Sequence, residues 1–316
     1  MPKRLSAAVA ALASLFVSLA AAAADISAPA CTATGTPPIQ TVEPVTERPS
    51  CKDGKVLSFD QAGVTRYACL NLGDGAAKLP MIVYLHGSLT TPDSLYLAGR
   101  DLFALSRDYP LSTHPGIKGF ILLSPEGRRA QPWEGEGAHT GTGFHWDEWQ
   151  RDPATNLDVQ AIDHFIDEVV ATGAVDEKQI YVFGWSNGAN MAVLYGAWRS
   201  ERIAAVAQYA GTDPWQRPPC PVDMPSGRRV PLTLMRNMCD ALAQCPATSS
   251  WSSTLEGLNW PFQRVDLALR GRKTAPTTQC VQSCGKARGL YEHIRWPQKE
   301  VLADDMLAFF KANALP

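Results

Sequence analysis

The chain has 316 residues, 45% of them hydrophobic and 19% charged, with a formal net charge of −2. This is the balance of a globular chain. Without a long run of either sign, it argues against nucleic acid and anionic membrane surfaces as partners.

The first element is not part of the fold. "MPKRLSAAVAALASLFVSLAAAAAD" carries Lys3 and Arg4, then an uncharged Ala-, Leu- and Val-rich stretch, then small residues before Asp25. That is the pattern of a secretory signal peptide, residues 1–24, cleaved near Ala24. It predicts a secreted or periplasmic protein with no stable membrane anchor. All eight cysteines follow this segment, and an even number in an exported chain predicts disulfides. Their spacings, C-x5-C and C-x3-C, do not match the paired C-x2-C spacing of zinc sites, so no metal is expected.

Residues 25–50 are rich in Pro, Thr and Ala and read as an extended lead-in. Residues 51–316 suit one large α/β domain. "KVLSF" and "TRYACLNL" are early strands. "PMIVYLHG" (80–87) and "GFILLSPEG" (119–127) are continuous apolar runs of the kind buried strands show. Residues 128–152 break the rhythm with Trp133, Trp146 and Trp149. Residues 156–172 are helical, with Val159, Ile162, Phe165, Ile166, Val169 and Val170 at i, i+3, i+4 spacing. "QIYVFGW" is a strand, followed by a helix from about Asn187 to Trp198. "IAAVAQYAG", "VPLTLMRN" and "GLYE" are further strands, Asp266 falls on a helix, and "EVLADDMLAFFKANAL" closes the chain as a helix. Alternation of this kind predicts a mostly parallel sheet covered on both faces.

Gly184-Trp185-Ser186-Asn187-Gly188 stands where strand becomes helix. A chain reversing in so few residues strains the serine and needs glycines where strand and helix approach. The turn lifts a hydroxyl above the carboxyl edge of the sheet and aims the Asn187 N–H and the helix start at the same spot. Ser186 is therefore a candidate nucleophile. It needs a base, and of six histidines only His293 follows it, in the Ser, acid, His order of this motif. Asp240, which closes "VPLTLMRNMCD", is the best-placed acid, with Asp213 its main rival. Backbone N–H of Ser88 or Leu89 would complete an oxyanion hole with Asn187, and His86 reads as structural. Trp133, Trp146 and Trp149, together with Trp185, are candidates for a substrate wall. The alternative for the three loop tryptophans is packing against the sheet.

"PMIVYLHGS", "NLDVQAIDHFIDEVVATGAVDEKQIYVFGWSNGANMAVLYG", "IAAVAQYAG" and "EHIRWP" resemble the secreted α/β-hydrolases that include polyhydroxybutyrate depolymerases, feruloyl esterases and acetylxylan esterases. The likeness covers roughly residues 75–315. It implies an α/β-hydrolase fold, a Ser186–Asp240–His293 triad, an ester substrate that is polymeric in several members, and no cofactor. The sequence departs from the family with "RNMCD" at the acid and with two residues between His293 and Trp296-Pro297. Cys239, beside Asp240, suggests a disulfide pinning the acid loop. A serine peptidase and a non-catalytic polymer-binding protein on the same scaffold are the other readings, and oligomeric state is left open.

Overall fold

The computed structural model describes residues 40–41, 48–73, 77–131, 143–216, 224–277, 279–280 and 289–316. The expected signal segment, most of the lead-in, and Trp133 lie outside the described residues.

In chain order the strands are β1 (Gln40–Thr41), β2 (Lys55–Gln61), β3 (Val64–Asn71), β4 (Leu79–Leu85), β5 (Ile121–Pro125), β6 (Arg128–Gln131), β7 (Gly143–His145), β8 (Val175–Trp185), β9 (Ala205–Tyr209), β10 (Leu232–Asn237), β11 (Phe262–Ala268) and β12 (Arg272–Lys273). The helices are α1 (Ser94–Leu97), α2 (Arg100–Leu105), α3 (Leu157–Val170), α4 (Asn187–Trp198), α5 (Cys245–Gly257) and α6 (Gly289–Ile294). The last helix, α7, runs through Lys299–Val301, Leu302–Leu307 with π-type bonding, and Ala308–Ala312.

The main sheet has the order β12-β11-β10-β9-β8-β4-β5-β3-β2. From β5 to β11 every neighbouring pair is parallel, and antiparallel pairing is confined to the two edges. The strands alternate their side chains between two cores. Met81, Val83 and Leu85 of β4 join one core with Ile121, Leu123, Ile180 and Val182. Ile82 and Tyr84 join the other with Leu122, Tyr181 and Phe183. A period of two with both faces apolar is what makes these strands read as unbroken hydrophobic runs.

Helix α3 covers the first face with Val159, Ile162, Phe165, Ile166 and Val169. It starts where the Asn156 side chain accepts the N–H groups of Asp158 and Val159, satisfying two donors of the first turn. Helices α2 and α7 cover the second face, where Phe310 stacks on Tyr181 at 4.7 Å. The connection from β4 to β5 thus runs over one face and the connection from β5 to β8 over the other. The strand order reverses beside β4, and the carboxyl ends of β4 and β8 flank a switch point where ligands bind in open parallel sheets.

Two sequence expectations are corrected. "GLYE" forms not a strand but the start of α6, and Asp266 lies on β11 rather than on a helix. In β11 Asp266 stands in register with Arg236 of the neighbouring strand, and its buried carboxylate pairs with that guanidinium at 2.7 Å, a partner that local periodicity cannot reveal. Cys51–Cys69 and Cys245–Cys280 are disulfides, Cys239 is also disulfide-bonded, and no described cysteine is free. No helix among the described residues is long and apolar enough to cross a membrane.

Candidate active site

Strand β8 delivers Trp185 directly to Ser186, and α4 begins at Asn187. Ser186 has φ 57° and ψ −121°, a conformation that costs an L-residue on the order of 1–3 kcal/mol. The flanking glycines make the turn possible. A Cβ on Gly184 would lie 2.0 Å from the Gly188 carbonyl oxygen, and one on Gly188 would lie 2.2 Å from that of Leu85. Strand, turn and helix are closer than any side chain allows. The serine N–H donates to the Tyr209 carbonyl at 2.9 Å, which ties the turn to β9.

His293 Nε2 lies 2.9 Å from Ser186 Oγ, and its Nδ1 lies 2.8 Å from Asp240 Oδ2. With Asp240 ionised, Nδ1 carries the proton and Nε2 faces the serine hydroxyl as acceptor. Asp240 Oδ1 also accepts the N–H groups of Leu242 and Ala243, at 2.7 and 2.9 Å, which hold the carboxylate in place. Asp213 is directed elsewhere. Its carboxylate accepts the Trp215 N–H, and burial raises its pKa.

The histidine is held largely through its backbone neighbours. Trp185 Nε1 donates to the His293 carbonyl at 3.0 Å, and the Tyr209 hydroxyl donates to the Arg295 carbonyl. Glu292 Oε2 accepts from Asn237 Nδ2 at 3.1 Å and from the Arg270 N–H at 2.7 Å. The segment carrying His293 is thereby fastened to the strand end that carries Asp240. Sequence places Glu292 only among the carboxylates between Ser186 and the chain end that could serve as the acid, and it marks neither Tyr209 nor Asn237, because their partners lie tens of positions away in the chain.

On the other side of Ser186, the turn after β4 is fixed by the Gly87 carbonyl. That oxygen receives His86 Nδ1 at 2.9 Å, Thr90 Oγ1 at 2.7 Å and the Thr90 N–H at 3.3 Å. In a trans peptide the following N–H points opposite to the carbonyl, so these donors also set the direction of the Ser88 N–H. Leu89, with φ 63°, donates its own N–H to the Phe144 carbonyl at 2.9 Å, which commits that amide and leaves Ser88 as the candidate donor. His86 is fully buried. It accepts the Gly127 N–H at Nε2, 2.9 Å away, so the ring is neutral with its proton on Nδ1, and burial lowers its pKa to about 4.

Trp146, Trp149 and Trp185 are placed differently from a substrate wall. Trp146 is 0% exposed and Trp149 2%, and the Trp146 indole N–H donates to the His86 carbonyl at 2.8 Å. Both follow the packing alternative. Trp185 is 6% exposed and serves His293, with its ring 6.3 Å from that of Trp296. An indole with an N–H to satisfy and a large apolar face gains more from these buried contacts than from facing water. The Asn187 side chain has an additional part. Its Oδ1 accepts the Trp146 N–H at 2.7 Å, and its Nδ2 donates to the Trp146 carbonyl at 3.1 Å and to Glu148 at 2.9 Å.

No protein-family model and no curated protein matches the chain. Among solved structures it is similar to the acylaminoacyl peptidase of Pyrococcus horikoshii, at 12% identity and a TM-score of 0.50, over 83% of this chain and 42% of that one. A thermostable esterase aligns at 16% identity and 0.46, over 69% of this chain and 55% of the other. A ferulic acid esterase from Anaeromyces mucronatus, in complex with ferulic acid, aligns at 17% and 0.46, over 74% and 89%. The chain therefore spans about half the length of the first two. With its parallel sheet, helices on both faces and the turn from β8 into α4, the chain has the α/β-hydrolase fold.

Proposed function

We propose that the protein is a serine hydrolase acting on carboxylic esters, with Ser186 as nucleophile, His293 as base and Asp240 as the residue orienting it. The observation that carries this reading is the continuous chain of hydrogen bonds from Asp240 through His293 to a serine in a strained turn. His293 Nε2 takes the hydroxyl proton as Ser186 Oγ attacks the ester carbonyl. The tetrahedral oxyanion is held by the backbone N–H groups of Ser88 and Asn187. His293 then gives its proton to the leaving alcohol. Water, deprotonated by the same ring, attacks the acyl-enzyme and regenerates the serine. No step calls on a cofactor.

The finer parts of the reading rest on sequence. Residues 1–24 act as a signal peptide, 25–50 as a lead-in and 51–316 as the catalytic domain of a secreted or periplasmic enzyme. Disulfides among the described cysteines fit an oxidising compartment. The resemblance to polyhydroxybutyrate depolymerases favours a polyester substrate, with feruloylated or acetylated polysaccharide as the alternative. A panel of short p-nitrophenyl esters, hydroxybutyrate oligomers, acetylated xylan, methyl ferulate and peptide anilides decides among them. Ester turnover by the wild type, absent in Ser186→Ala, is the expected result. Anilide turnover without ester turnover would assign the protein to the peptidases.

A further inference from the structure

A cluster of buried opposite charges lies behind the turns that flank Ser186. Arg66 Nη2 donates to Asp158 Oδ1 at 2.9 Å and to the Glu126 carbonyl at 2.9 Å. Arg128 donates from Nε to Asp158 Oδ1 and from Nη2 to Asp147 Oδ2, both at 3.1 Å. Asp158 Oδ2 accepts the Asp147 N–H at 2.7 Å. All four side chains are buried. Burial alone would raise the Asp158 pKa, but the Arg128 and Arg66 guanidiniums outweigh it and hold the carboxyl below its usual range. Charges so placed are costly to desolvate and are weak evidence for stability alone.

What the cluster anchors is more informative. Asp147 follows Trp146, whose backbone exchanges two hydrogen bonds with the Asn187 side chain and whose indole N–H bonds the His86 carbonyl. Phe144 accepts the Leu89 N–H, and Gly127, beside Arg128, donates to His86 Nε2. Residues 126–128 and 143–147 therefore grip both the turn that carries Ser88 and the helix start that carries Asn187. Gly127 and Gly143 sit in these contacts, Gly127 against backbone and Gly143 against the Leu89 side chain. A Cβ at Gly127 would lie 2.5 Å from the His145 carbonyl oxygen, and one at Gly143 would lie 2.6 Å from Leu89.

We propose that Asp158 is a positioning residue for the oxyanion hole. By fixing Arg128 and the Asp147 amide, it holds the 143–147 segment against the two backbone donors, so its role is expressed in the transition state and not in substrate binding. This rests on the esterase reading above.

The test is Asp158→Asn in the full chain, compared with Asp163→Asn. The latter breaks the Arg199 and Tyr195 contacts at 2.6–3.0 Å on the far side of α3 from the cluster and touches none of the site residues. With a short p-nitrophenyl ester, kcat of Asp158→Asn falls roughly 10- to 100-fold, as expected when donors shift by an ångström or less, while KM stays within about threefold. Backbone amides of residues 86–89 exchange faster with deuterium, and Asp163→Asn changes neither readout. Wild-type kcat in Asp158→Asn, or the same kcat loss in both variants, would overturn the proposal. If Asp158→Asn does not fold, Arg128→Lys, which keeps the charge but loses the fork that spans both carboxylates, is measured in the same way. If the wild type turns over no ester, the esterase reading fails by itself. The exchange of residues 86–89 then decides this proposal, with unchanged protection refuting it.

Discussion

On one side of the candidate site, Ser186 and Asn187 stand in a turn whose geometry is written into five consecutive residues. On the other, Asp240 and His293 lie 53 positions apart and meet only because separate segments are fastened together. The first side is enforced by sterics, since Gly184 and Gly188 sit against backbone atoms and no other residue fits. The second is enforced by hydrogen bonds to carbonyls and to Glu292, contributed by Trp185, Tyr209, Asn237 and Arg270. The candidate nucleophile thus sits on a rigid local turn, whereas the candidate base and acid sit on a frame assembled from separate segments.

The largest effect is expected where that frame meets the chemistry. Asp240→Asn removes the charge that fixes the His293 tautomer and should lower kcat by about 10³- to 10⁴-fold with the fold intact. Asp213→Asn should stay within about twofold of wild type. Steady-state kinetics on both variants check this, and a larger loss in Asp213→Asn would exchange their roles. Next is the steric side. Gly184→Ala places a Cβ where a carbonyl oxygen stands and should cost at least about 3 kcal/mol, read as a shifted urea midpoint. A midpoint within experimental error of wild type would mean that the turn is looser than described.

A third, smaller effect is a pH dependence in the turn after β4. His86 is neutral in the folded state with its pKa lowered to about 4, and it returns to 6.5 when the chain unfolds. Between these values the unfolded chain binds the extra proton. The contribution is complete above pH 6.5, declines as pH falls, and is lost through pH 4, in total about 3 kcal/mol. Stability measured by urea between pH 7 and 4 should show this slope, and His86→Gln should flatten it. Parallel slopes in the two proteins would exclude His86 as the source.

The same contrast explains what could be read from sequence. The alternating elements gave the doubly covered parallel sheet because buried strands and amphipathic helices carry their periodicity locally, as in "PMIVYLHG" and residues 156–172. Ser186 was legible for the same reason, with its glycines on either side. His293 is a candidate by its order after Ser186 and by an expected strand at "GLYE", and that local structure was misjudged, since "GLYE" begins a helix that tertiary contacts hold at Gly289, where a side chain would meet Ala241. Trp146 and Trp185 carry no local mark that separates an indole donating to a buried carbonyl from one facing a substrate. The cluster around Asp158 has no local signature, because its partners come from β3, β6 and residue 147.

The central claim is that Ser186 is activated by His293. Its most direct test is labelling with a fluorophosphonate, followed by mass spectrometry of the intact chain and its peptides. One adduct per chain on the peptide containing Ser186, and strongly slowed labelling in His293→Ala, is the expected result. No adduct, an adduct on another residue, or equal labelling rates in the two proteins would contradict it.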